Sequence, residues 1–110
     1  SMDKGDKSLF GTETVLFVEN DAFWQEFMEW ALKDTGYTFI STNSDNAFSK
    51  FDQNIDRIDM VIADRASSGK GLIKYANAKK PGIKTILTMG DYSRLGDVEE
   101  AIDASAIIKK

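Results

Sequence analysis

Residues 15–21 read VLFVEND, four apolar residues (Val15-Leu16-Phe17-Val18) running straight into Glu19-Asn20-Asp21. An unbroken apolar run of this length, rather than an alternating one, is the pattern of a strand covered on both faces. It stops where side chains able to cap a helix begin, because Asn20 and Asp21 can each accept from amides of a first helical turn. Phe23, Phe27, Trp30 and Ala31 then recur at helical spacing, with Trp24 and Met28 widening the stripe. This predicts a helix whose aromatic stripe Phe23, Phe27 and Trp30 is buried, with Trp24 at its partly exposed edge. Gly36 suits the left-handed position that closes such a helix.

The same strand-then-helix unit repeats outward from this stretch. Tyr37 to Thr42 is rich in aromatic and β-branched residues and predicts a second strand. Ser44 can cap a short helix carrying Ala47, Phe48 and Phe51. Met60-Val61-Ile62-Ala63 is a third apolar run, ending in Asp64. A Ser/Gly loop from Ala66 to Gly71 precedes a helix over Leu72 to Lys79, and Pro81-Gly82 breaks the chain. Thr85 to Met89 predicts a fourth strand, Val98 to Ile102 a short helix, and Ala106 to Ile108 a fifth strand. Such alternation implies an α/β domain, a parallel sheet with helices on both faces joined by right-handed crossovers. Residues 1–10 read as a solvated tail opening on a Ser1-Met2 tag-removal scar, and residues 11–110 as one domain.

Composition narrows the chemistry. Cysteine and histidine are both absent. This removes disulfides, thiol nucleophiles, zinc thiolate sites and imidazole bases. The formal net charge of −4 disfavours nucleic acid and anionic lipid as partners. No apolar run reaches the ~18 residues of a membrane span, so a cytoplasmic protein with no membrane partner is expected. Three enzyme-like motifs fail on inspection. Ser68-Gly69-Lys70-Gly71 hints at a phosphate loop, but Asp64 stands at the required first glycine and Gly71 at the required Ser or Thr. The turn after the first strand is anionic where a dinucleotide fold needs glycines. Asp64-Arg65-Ala66 lacks the second acid of an Asp-x-Asp metal pair.

Open parallel sheets bind ligands beyond the carboxyl ends of their strands. The residues expected there are Glu19, Asn20 and Asp21 after the first strand, Asp64 after the third, Thr88 near the end of the fourth and Lys109 after the fifth. With the segments VLFVEND, MVIAD, TILTM and ASAIIKK, this order resembles a response-regulator receiver domain of two-component signalling, from about Val15 to Lys109. The resemblance implies a flavodoxin-like, doubly wound, five-stranded sheet in the order 2-1-3-4-5. It also implies a non-enzymatic signalling role. Asp64 would accept a phosphoryl group from a histidine kinase or another phosphodonor. Mg²⁺ would be held by Glu19, Asn20, Asp21 and Asp64. Thr88 and Lys109 would contact phosphoryl oxygens, and the output would pass to a downstream protein.

The chain also departs from the receiver pattern. Asn20 replaces an acidic metal ligand and weakens the expected Mg²⁺ site. Met89, where receivers carry a small residue, is expected to cover the acceptor. Ala106 stands in the place of a switching aromatic, Lys110 in that of a proline, and the loop after Asp64 lacks the usual Met-Pro pair. These differences favour the alternative reading, a pseudo-receiver that binds proteins without phosphotransfer. No fifth helix follows the fifth strand in this sequence, so apolar surface near Ile107 and Ile108 is expected to be exposed and available for a homodimer.

Overall fold

The computed structural model describes residues 11–90 and 104–109, with no account of the Ile107 and Lys109 side chains. The elements are β1 (Thr14–Val18), α1 (Ala22–Leu32), β2 (Thr38–Thr42), α2 (Ala47–Gln53), β3 (Met60–Asp64), a 3₁₀ turn (Arg65–Ser67), α3 (Gly69–Lys79), β4 (Lys84–Met89) and β5 (Ala106–Lys109). The tail and the helix expected over 98–102 lie outside the described residues.

All strand pairs are parallel and the order is β2-β1-β3-β4-β5. Period-2 alternation divides the sheet into two unequal faces. Leu16, Val18, Val61, Ala63 and Leu87 point to one side, where Ala47 and Phe51 of α2 and Leu72, Ile73 and Ala76 of α3 close the larger core. Val15, Phe17 and Ile62 point to the other side, against Met28, Phe39 and Ile86.

The boundaries shift where a backbone interaction decides them. Helix α1 starts after Asp21, whose Oδ1 accepts from Phe23 N at 2.9 Å, as capping requires. It ends at Leu32, so Gly36, with φ +94°, belongs to the following turn, where a Cβ would collide with the Gly11 carbonyl. The cap of α2 is not Ser44. Asn46 holds that position, its amide bonded to Asn43 Oδ1 at 3.1 Å, while Ser44 is engaged with Asn20. Helix α3 starts three residues before Leu72 because the glycine segment is itself its first turn.

The largest correction concerns the rotation of α1. Phe23, Phe27 and Trp30 are 67%, 45% and 66% exposed, and the helix contains no buried residue. Its inner face is instead Trp24, Gln25, Met28, Glu29 and Leu32, all half-buried. Two polar anchors set that rotation. Gln25 Nε2 donates to the carbonyls of Glu19 and Thr42 at 3.3 and 3.2 Å, and the Ser41 hydroxyl donates to Glu29 Oε2 at 2.6 Å. These bonds satisfy polar groups at the carboxyl ends of β1 and β2. The displaced aromatic rings pack on one another, with Phe23 and Phe27 stacked at 6.4 Å and Phe27 against Trp30 at 6.3 Å.

Candidate functional site at the carboxyl end of the sheet

Parallel pairing carries the chemistry-bearing residues to one end of the sheet. Asp64 is in register with Thr88, and Met89 with Lys109. Glu19 follows Val18, the partner of Ala63, and so lies alongside Asp64. Asp64, Glu19 and Thr88 are 4%, 3% and 5% exposed, so the centre of the site is nearly closed to solvent.

Asp64 is the hub. Its Oδ1 accepts from the Thr88 hydroxyl at 3.1 Å. Its Oδ2 accepts from Ala66 N at 3.1 Å and more weakly from the Ser67 hydroxyl at 3.4 Å. A buried carboxylate is tolerated only when it is hydrogen-bonded in this way. The buried Ser67 hydroxyl also accepts from Asn20 N at 3.0 Å, which ties the Asp64 loop to the turn after β1. The sequence reading missed Ser67; its position three residues after Asp64, in the first turn that Asp64 caps, was the available signal.

The four expected metal ligands are not all brought together: Glu19 lies beside Asp64, while Asn20 and Asp21 are exposed and engaged elsewhere. Asn20 is exposed, and its amide is spent on Ser44, donating from Nδ2 to Ser44 Oγ at 3.0 Å and accepting from Ser44 N at 2.8 Å. Asp21 is exposed and caps α1. Glu19 Oε2 accepts from Asp21 N at 3.1 Å. Among the described residues no three acidic, His or Cys side chains form a group able to hold a metal. Of the expected Mg²⁺ set, Asn20 and Asp21 thus have their side chains directed to other partners, and Glu19 and Asp64 remain at the strand ends. A short polar residue beside a strand end found a nearer backbone or hydroxyl partner in each case.

Two further expectations are resolved. Met89 does not cover Asp64; it is 2% exposed within the α2/α3-side core, because period-2 alternation sends it to the face opposite Thr88. Ile108 is 50% exposed, as expected for apolar surface on β5. Its partner Thr88 lies on the face of Ile86, so Ile108 belongs to the α1 side.

No protein-family model and no curated protein matches the chain. Solved structures do. The response regulator receiver domain protein from Clostridium thermocellum superposes with a TM-score of 0.77 at 20% identity, over 89% of this chain and 82% of that one. A CheY-like receiver domain protein from Methanospirillum hungatei gives 0.76 at 21% identity, over 91% and 82%. A chain in the crystal structure of the histidine kinase ThkA in complex with the response regulator protein TrrA gives 0.72 at 24% identity, over 89% and 85%. The fold is therefore that of response-regulator receiver domains, a flavodoxin-like parallel sheet in a divergent sequence.

Proposed function

We propose that this chain is a pseudo-receiver, a signalling domain that works through protein contacts, in which Asp64 organises the loops at the sheet end and carries no phosphoryl group. One observation supports this above all: both oxygens of a nearly buried Asp64 are engaged by Thr88, Ala66 and Ser67. Three donors converge on a carboxylate that is only 4% exposed, so a phosphodonor would have to reach Asp64 through a closed shell of hydrogen-bonding groups. The engagement of Asn20 and Asp21 elsewhere supports the same reading. The partner class is a two-component signalling protein, a histidine kinase or a downstream effector. The exposed Phe23, Phe27, Trp30 and Ile108 on the α1 side offer it, or a second copy of this chain, an apolar contact surface.

A phosphoacceptor role is the second reading, favoured by the Thr88 to Asp64 bond and by the placement of Lys109 beside Met89. In that case an Asp64 oxygen bonds to phosphorus as the donor's own bond to phosphorus breaks. The test is intact mass after incubation with acetyl phosphate and Mg²⁺, with Asp64→Asn and an active receiver in parallel. The expected result is no adduct on a folded protein. A single phosphoryl adduct absent from Asp64→Asn overturns the pseudo-receiver reading.

A further inference from the structure

Helix α1, with the sequence AFWQEFMEWAL, is apolar on two sides, and the sheet takes one of them. A helix that is apolar all round is ordinarily buried all round. Yet α1 buries no residue, whereas α2 buries Ala47 and Phe51, and the more polar α3 buries Leu72, Ile73 and Ala76. Trp24, Met28 and Leu32 lie half-buried on the inner side, while the outer rings Phe23, Phe27 and Trp30 are between 45% and 67% exposed.

Charge along the outer side is self-complementary. Phe23, Phe27 and Trp30 follow the i, i+4, i+7 spacing of a single stripe. Glu26 and Lys33, both exposed, stand seven residues apart and so on the same flank of that stripe, Lys33 keeping helical angles at φ −61° and ψ −29°. That spacing is beyond the i+3 and i+4 neighbours that pair within one helix. A second copy, turned end for end about a two-fold axis between Phe27 and Trp30, sets each Phe27 against the partner's Trp30. The like flanks then meet, and Glu26 stands two residues, or ~3 Å of rise, from the partner's Lys33.

The area available sets the strength. With ~150–250 Å² in each aromatic side chain, the three rings at these exposures offer roughly 250–450 Å² per copy. A standard interface takes ~800 Å² per partner, so the rings suit a smaller, reversible contact.

We propose that this chain forms a two-fold homodimer through antiparallel pairing of α1, with Phe27 and Trp30 packed across the axis and Glu26 paired with the partner's Lys33. A foreign partner would have to bring matching rings and both charges, which a second copy brings by symmetry. This assigns the α1 surface to one occupant. It rests on the contact-based reading for that surface alone, since its residues and its test are independent of phosphoryl transfer.

Sedimentation equilibrium of the whole chain from about 10 μM to about 1 mM, the range of weak complexes, tests this. A concentration-dependent monomer–dimer equilibrium is expected. The double variant Phe27→Ser, Trp30→Ser should be a folded monomer throughout. Glu26→Lys or Lys33→Glu alone sets like charges together and should weaken the dimer roughly 3–10-fold. Both exchanges combined restore opposite charges and should recover association to within about twofold of the unsubstituted chain. A monomer at every concentration overturns the proposal. So does a dimer that survives the double serine variant, or a double charge exchange that stays as weak as the single ones.

Discussion

The Thr88 hydroxyl donates to Asp64 Oδ1 at 3.1 Å across the β3–β4 register, joining two side chains that are each about 95% buried. This bond does structural work, because a buried carboxylate deprived of a donor pays much of its desolvation cost. Thr88→Val should therefore destabilise the domain by ~1–3 kcal/mol. Urea denaturation should show a lower midpoint with an unchanged slope. A neutral substitution would mean that the other Asp64 donors suffice.

Magnesium should leave the fold indifferent. Ligands that bind only the folded state raise its stability by mass action, but Asn20 and Asp21 are held at Ser44 and at the start of α1. The melting temperature at saturating Mg²⁺ is expected to equal that in chelator. The double variant Asn20→Asp, Ser44→Ala adds a charge and removes the competing partner, and it should acquire a Mg²⁺-dependent rise.

The rotation of α1 predicts a contrast between aromatic residues. Trp30→Ser and Phe23→Ser remove exposed rings and should change stability by no more than about 0.5 kcal/mol. Phe17→Ala empties a site that is 2% exposed and should cost ~3–5 kcal/mol. Chemical denaturation of the three variants checks this. A large loss at Trp30 would place that ring inside the protein.

The two glycines at the start of α3 should respond oppositely to alanine. At Gly69 the new methyl would press on the Asp64 carbonyl and the Leu87 side chain, costing on the order of 1–3 kcal/mol as overpacking. At Gly71 it enters open space in a helix, where alanine is favoured over glycine by up to about 1 kcal/mol. Thermal melts of the two single variants read the sign directly.

Tyr75 is the titration reporter. The hydrogen bond to Asp52, with a smaller contribution from burial and the Asp52 charge, holds its hydroxyl above the ordinary value of 10.0. A raised value in the folded state favours the protonated phenol. Its contribution to stability is thus complete below the unfolded value and is lost as pH rises through the folded one. Ultraviolet absorbance titration should find a late-ionising tyrosine, and Asp52→Asn should move it downward.

The sheet and its strand-end residues are legible in the sequence alone. Unbroken apolar runs such as Val15–Val18 and Met60–Ala63 mark strands covered on both faces, and β-α alternation obliges every strand to point the same way. Asp64, Thr88 and Lys109 therefore had to arrive at one end, whatever the details of packing. Nothing in the local pattern specified the partners those ends would choose. Asn20 reaches Ser44 across 24 positions and Ser67 meets the Asn20 amide across 47, contacts that exist only once β1, β2 and β3 lie side by side. The face of α1 was misread for the same reason. Aromatic spacing marked Phe23, Phe27 and Trp30 as the buried stripe, but Gln25 and Glu29 had polar groups on the sheet to satisfy. Hydrophobic periodicity thus determined which segments became strands and helices. Long-range hydrogen bonding, which local periodicity cannot encode, decided the rotation of α1 and the pairing of Asn20 with Ser44.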